Sequence, residues 1–176
     1  MRFTACCLLT AVLVVAPWFQ SARAQDKMVY AANASSKFVN FPGLPACMTG
    51  SVQNGNPSKG GSMILVKTTA GCNIPWHWHT PNEELMIVAG RGKGEMKDGS
   101  PAMLHAGDYL KHPAKSVHQF TCLAACTFFL ASDGTFDLHY VDASGKEISP
   151  DEALKSKGKT HSKKSPAKDE MKGMKM

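Results

Sequence analysis

Several things are missing from this 176-residue sequence, and each absence narrows the reading. No segment before residue 150 sustains a helical period, so a helix bundle is excluded, and no internal repeat supports a solenoid or propeller. Beyond the first 24 residues no apolar run is long enough to cross a bilayer. A charge excess is also missing from the body: residues 25 to 145 hold nine basic and nine acidic side chains, although the whole chain carries a formal +6. The excess belongs to residues 146 to 176, where nine Lys face five acidic residues. A neutral body offers no surface for nucleic acid.

What is present begins with "MRFTACCLLTAVLVVAPWFQSARAQ". One Arg near the start, an apolar run from Cys6 to Phe19, and Ala22-x-Ala24 before Gln25 form the layout of a secretory signal peptide cleaved after Ala24. Cys6 and Cys7 lie inside the apolar run rather than behind it, which argues against a lipoprotein signal. Removing those 24 residues leaves 152, enough for one domain with a core of its own. The expected location is periplasmic or secreted, with no membrane attachment after cleavage.

Four cysteines remain after that cleavage, Cys47, Cys72, Cys122 and Cys126. In an oxidising compartment an even count suggests disulfides, and four cysteines allow three connectivities. Cys47 and Cys72 lie almost symmetrically about the "NPSKGG" turn, and Cys122 and Cys126 flank three residues as they would across a tight hairpin. Local pairing of both is one expectation; free, buried thiols are the other.

From Phe41 onward short apolar runs alternate with turn signals: "SMILVKTT", "LMIVAG", "VHQFTC", "TFFLASDG" and "TFDLHYVD" are separated by Gly, Pro and Asn. Strand-length runs rich in Val, Ile, Phe and Thr predict an all-β sandwich or barrel. After Val141 the composition changes. "SPDEALK" carries a capping signal, Ser149 with Glu152 three residues later, and suits one helical turn. The remaining Lys-rich segment is expected to be disordered.

One stretch, "GCNIPWHWHTPNEELMIVAG", concentrates the chemistry. Read as a strand, Trp76-His77-Trp78-His79 sorts by period two, both histidines to one face and both tryptophans to the other. Thr80-Pro81-Asn82 reads as a turn into a second strand, with Glu83, Leu85 and Ile87 on one face and Glu84, Met86 and Val88 on the other. Two imidazoles and a carboxylate converging on one point would suit a metal ion, whose ligands must arrive from several directions at about 2 Å. Single strand histidines, by contrast, are usually satisfied polar residues.

The spacing Gly71, five residues, His77, one, His79, three, Glu83, six, Gly90 resembles the first signature of the cupin superfamily at every position. After sixteen more residues, "GDYLKHPAKSVHQF" resembles the second, with Gly107, Pro113 and His118 in place. It departs at Lys115, where a glycine is usual, and at Cys122, where an asparagine is usual. The resemblance implies a single-domain, all-β cupin barrel (a double-stranded β-helix, or jelly roll) over residues 41 to 143, after an N-terminal extension at 25 to 40 and before a tail at 144 to 176. It also implies a metal set of His77, His79, Glu83 and His118, with Glu84 as rival for the carboxylate. Strand alternation favours Glu83.

Three imidazoles and one carboxylate suit one divalent Fe, Mn, Ni, Cu or Zn. An octahedral ion so held keeps two positions open, whereas tetrahedral zinc would be saturated. Phe120 and Cys122 share a face with His118 and should line the interior. His105, Tyr109 and His112 are read as surface or turn residues, His112 because it precedes a proline. The apolar face at Trp76 and Trp78 is expected to be covered by an N-terminal segment or by a second copy in a homodimer. The terminal "MKGMKM" with His161 could offer soft ligands to copper, but a solubilising tail needs fewer assumptions.

Cupins with this ligand set include dioxygenases and oxidases, and also isomerases and lyases in which the metal is a Lewis acid. The resemblance therefore implies either a metal-dependent enzyme acting on a small molecule in the barrel, with dioxygenase-type chemistry favoured, or a non-enzymatic binding module of the periplasm. The sequence shows no obvious acid or base beyond the ligands themselves.

Overall fold

The computed structural model describes residues 28 to 155. The leader, the Lys-rich end and the "MKGMKM" motif lie outside the described residues.

Ten strands follow in chain order: β1 (Met48–Gly55), β2 (Ser62–Thr68), β3 (Asn73–Trp78), β4 (Glu83–Ala89), β5 (Arg91–Met96), β6 (Ala102–His105), β7 (Tyr109–His112), β8 (His118–Cys122), β9 (Thr127–Ser132) and β10 (His139–Tyr140). They form two five-stranded antiparallel sheets, ordered β1-β2-β9-β4-β7 and β10-β3-β8-β5-β6. Their inner faces meet in one core containing Val66, Ile74, Leu85, Ile87, Phe128 and Leu130, with Phe120 edge-on to Phe128 at 5.6 Å. The all-β fold predicted from the strand punctuation is observed, as the two-sheet barrel that the resemblance implied.

One local expectation is corrected. β3 and β4 are not a hairpin: β3 pairs with β8 and β10, whereas β4 pairs with β7 and β9 in the opposite sheet. Residues 79 to 82 cross between the sheets, and distant carboxylates pin this crossover. Asp137 accepts the Thr80 N–H at 2.7 Å, and Asp133 accepts the Asn82 N–H at 3.0 Å.

The same topology decides the cysteines. β1 and β2 do form a hairpin, which brings Cys47 and Cys72 together in a disulfide with a Cα separation of 5.6 Å. β8 and β9 lie in different sheets, so Cys122 and Cys126 flank a crossover, and both are free and buried. The expected second pairing is therefore absent.

Glycine is required where the backbone turns back on itself. Gly90 has φ +93°, and a Cβ there would meet the Ala125 carbonyl oxygen at 2.2 Å. That explains the glycine of the first signature. Lys115, where the second signature usually has glycine, adopts φ +61° and is the one non-glycine residue with positive φ among the described residues.

Residues that composition assigned to the flanks belong to the body. Val39 bridges to Gly50 ahead of β1. The helix α1 (Pro150–Lys155) begins at Ser149, whose hydroxyl accepts the Glu152 N–H at 3.2 Å, and buries Ala153. Trp76 and Trp78 are half-buried. Trp78 stacks on His139 at 3.9 Å, and the Trp76 carbonyl accepts the Val141 N–H. Within the chain, the contacts on this face thus come from the C-terminal segment and not from the N-terminal segment, one of the two covers expected.

Candidate metal centre

His77 and His118 are directly opposed on β3 and β8, which brings their rings to 4.3 Å. His79 follows immediately beyond β3, its ring 4.8 Å from that of His77. Glu83, the first residue of β4, reaches in from the other sheet. All four side chains are buried, with relative exposures of 1 to 5%. The crossover at 79 to 82 is what sets imidazoles from one sheet against a carboxylate from the other. Glu84 points outward and pairs with Lys111, as strand alternation required.

Backbone carbonyls fix the tautomers. The Nδ1 of His77 lies 2.6 Å from the Pro75 oxygen, that of His118 lies 2.8 Å from the Ser116 oxygen, and that of His79 contacts the Asp137 oxygen. A carbonyl can only accept, so each Nδ1 carries the proton and each Nε2 presents its other side inward. This is the usual arrangement by which an outer partner orients a metal-binding imidazole.

The inner atoms have nothing adequate to bond. The Nε2 atoms of His79, His112 and His118 are buried and make no hydrogen bond. Those of His79 and His118 stand 3.4 and 3.3 Å from the Glu83 oxygens. Ligands about 2.0 to 2.1 Å from a common ion are spaced roughly 3 to 3.4 Å apart, so this separation fits a shared cation. Two overlapping triads have ligand atoms within 4.8 Å of one another: His77, His79 and His118, and Glu83, His112 and His118. The four residues singled out in the sequence are brought together, and His118 joins both groups.

His112 is the residue that sequence reasoning misplaced. It is 1% exposed, its Nδ1–H donates to Glu83 Oε2 at 2.8 Å, and its ring stacks on His118 at 3.7 Å. His105 and Tyr109 are exposed, as expected. The signal for His112 lay in β7, where Tyr109-Leu110-Lys111-His112 alternates outward and inward. Period two places His112 on the inner face with Leu110, despite the proline that follows.

Electrostatics suit a cation. Burial would raise the Glu83 pKa, but His112, His118 and His79 around it hold the carboxyl well below its ordinary range. Burial, reinforced by His118 and His79, pushes His77 well below the usual imidazole value. Burial also lowers His112, against the pull of Glu83. At His79 burial is outweighed by the Glu83 carboxylate, and the net direction is upward. An ionised carboxylate set among imidazoles is the donor set that a divalent transition metal takes.

The sequence profile of the ChrR cupin-like domain matches residues 26–136. The chain is a cupin. It belongs to the ChrR cupin-like family, and both signatures lie within the matched residues. Among solved structures, this cupin resembles an acetylacetone dioxygenase from Acinetobacter johnsonii at 18% identity and a TM-score of 0.55, over 80% of this chain and 96% of that one. A putative acetylacetone dioxygenase from Methylibium petroleiphilum matches at 19% identity and 0.56, over 72% and 90%. The polyketide cyclase RemF from Streptomyces resistomycificus matches at 17% and 0.56, over 66% and 87%. Identities this low establish the shared fold alone. No functionally curated protein shows significant sequence similarity to the chain.

Proposed function

We propose that this cupin is a metal-dependent enzyme acting on a small molecule outside the cytoplasm, with His77, His79, Glu83 and His118 as ligands of one divalent transition metal. The observation that carries this reading is the pair of carbonyl-fixed imidazoles, His79 and His118, whose Nε2 atoms face the buried, ionised Glu83 carboxylate without hydrogen bonds. A bound ion supplies oxygen activation or Lewis-acid polarisation of a carbonyl or enolate. The residues of the chain orient that ion and exclude water: Phe120, Leu85 and Phe136 wall the cavity beside the ligands. The Cys47–Cys72 disulfide supports an oxidising location.

Among the described residues, the ligands are the only titratable groups lining this inner cavity. An isomerase or lyase needs a proton-transfer group beside the substrate, which Glu83, held by His112, is poorly placed to be. That favours dioxygenase-type chemistry over proton shuffling. The same observation keeps a binding module as the second reading.

Elemental analysis of untagged protein, followed by oxygen uptake with enols, phenols and thiols, separates the two. About one metal per chain with substrate-dependent uptake is expected. Metal without any uptake favours the module, and a His118→Ala protein that keeps its full metal content would sink the ligand assignment.

A further inference from the structure

The cavities carry information about the substrate that the ligand set does not. An inner cavity of about 30 Å³ adjoins the imidazoles. An outer one of about 380 Å³ shares Leu44, Met48, Leu130, Phe136 and Leu138 with it. Of these shared residues Phe136 touches a ligand, its ring stacked on His79 at 4.5 Å and its N–H bonded to the Pro57 oxygen at 2.8 Å. The outer volume lies in the range of ligand pockets, whereas the inner one takes only a few heavy atoms.

The lining is the discriminating feature. Beyond the ligands, the inner wall is apolar throughout. In the outer cavity the only polar side chains are those of Ser58 and Asp137, and no Lys or Arg lines either cavity among the described residues. Asp137 is engaged already, accepting the Thr80 N–H at 2.7 Å and lying 3.5 Å from His139 Nε2. An anionic substrate would find a carboxylate at the mouth and no partner cation. A sugar would bury hydroxyls against Leu and Phe with nothing to pair them.

Resting on the metal-centre reading above, we propose that the substrate is a neutral, mainly apolar small molecule with one compact oxygen or sulfur donor group at its tip. The donor enters past Phe136 to the metal, and the apolar body fills the space beside Leu44, Met48 and Leu138. Selection is by shape and by exclusion of charge.

Three hydroxamic acids test this on the full chain loaded with Co(II), read by the change in the visible cobalt spectrum. Acetohydroxamic acid is the head alone, hexanohydroxamic acid adds an apolar tail, and adipic monohydroxamic acid ends that tail in a carboxylate. Hexanohydroxamic acid should bind at least ~10-fold tighter than acetohydroxamic acid, since two buried methylenes suffice for that ratio, and the carboxylate should forfeit the gain. Ser58→Lys, an exposed change at the outer cavity, should restore binding of the carboxylate compound. Failure to take up Co(II) would refute the metal centre itself. Cobalt uptake with equal affinity for all three acids, with no spectral response to any, or with no effect of Ser58→Lys would leave the centre standing and overturn the substrate class.

Discussion

Replacing His112 by Ala isolates what an unpredicted residue contributes. The imidazole donates to Glu83 Oε2 at 2.8 Å and stacks on His118 at 3.7 Å, so it braces one ligand by a bond and another by contact. Outer partners of metal ligands are typically worth 10–100-fold in affinity, or about 1.4–2.7 kcal/mol. In chelator-treated protein the loss should differ in kind. Glu83 stays buried and ionised with one charge-assisted hydrogen bond fewer, a cost of roughly 1.5–3 kcal/mol. Competition between the protein and a chromophoric chelator for Co(II) measures the first quantity, and urea unfolding measures the second. His112→Asn, which can keep a donor near the Nδ1 position, should recover part of both. A folded His112→Ala protein with undiminished cobalt affinity would refute the bracing role.

Three further outcomes follow from individual side chains. Burial raises the Tyr140 phenol from 10.0 to about 12, so the fold favours its neutral form, and the stability this gives is present below pH 10 and lost as pH rises toward 12; ultraviolet titration should show a late phenolate that Tyr140→Phe abolishes. Cys122, likewise raised to about 12 by burial, and its buried neighbour Cys126 should resist a thiol reagent at pH 8 in the native protein and both react after denaturation; only a fully oxidised denatured protein would contradict the free thiols. Lys115→Gly should raise stability by about 0.5–1 kcal/mol, because a lysine at φ +61° is strained there and the gain outweighs the added freedom of the unfolded chain; thermal melts would show a lowered midpoint if that balance is wrong.

The ligand pattern was legible because it is local. His77 and His79 share a face by period two, Glu83 begins the next apolar alternation, and the glycine at 90 is demanded by a left-handed turn against the Ala125 carbonyl. What was hidden depends on which sheet a strand joins. The segments after β3 and β8 both look like hairpin turns in the sequence, yet each crosses between sheets. In the first case Asp133 and Asp137, more than fifty residues downstream, hold the crossing. A carboxylate that far along the chain leaves no trace in the turn itself, so the Cys122–Cys126 pairing and the β3–β4 hairpin were both misread for one reason. His112 is a different case. Its strand alternation was readable, but it yielded to the preference of the residue before proline for a turn, although an extended backbone there satisfies both constraints.

The departure from the second signature now has a physical setting. Lys115 keeps the left-handed backbone that a glycine would adopt freely, and its N–H donates to the His79 carbonyl at 2.7 Å. Two residues earlier comes Pro113, preceded by the His112 that holds Glu83, and three residues later comes His118. The turn therefore ties the second signature to the first at a ligand, His79, and the strained conformation persists because that bond and the flanking strands β7 and β8 determine it together. Relaxing it elsewhere would shift His118 relative to His79, whose rings stand 5.3 Å apart. On this argument the backbone of residue 115, not its side chain, is what the centre needs, and the family's glycine and this chain's lysine meet that need at different energetic cost.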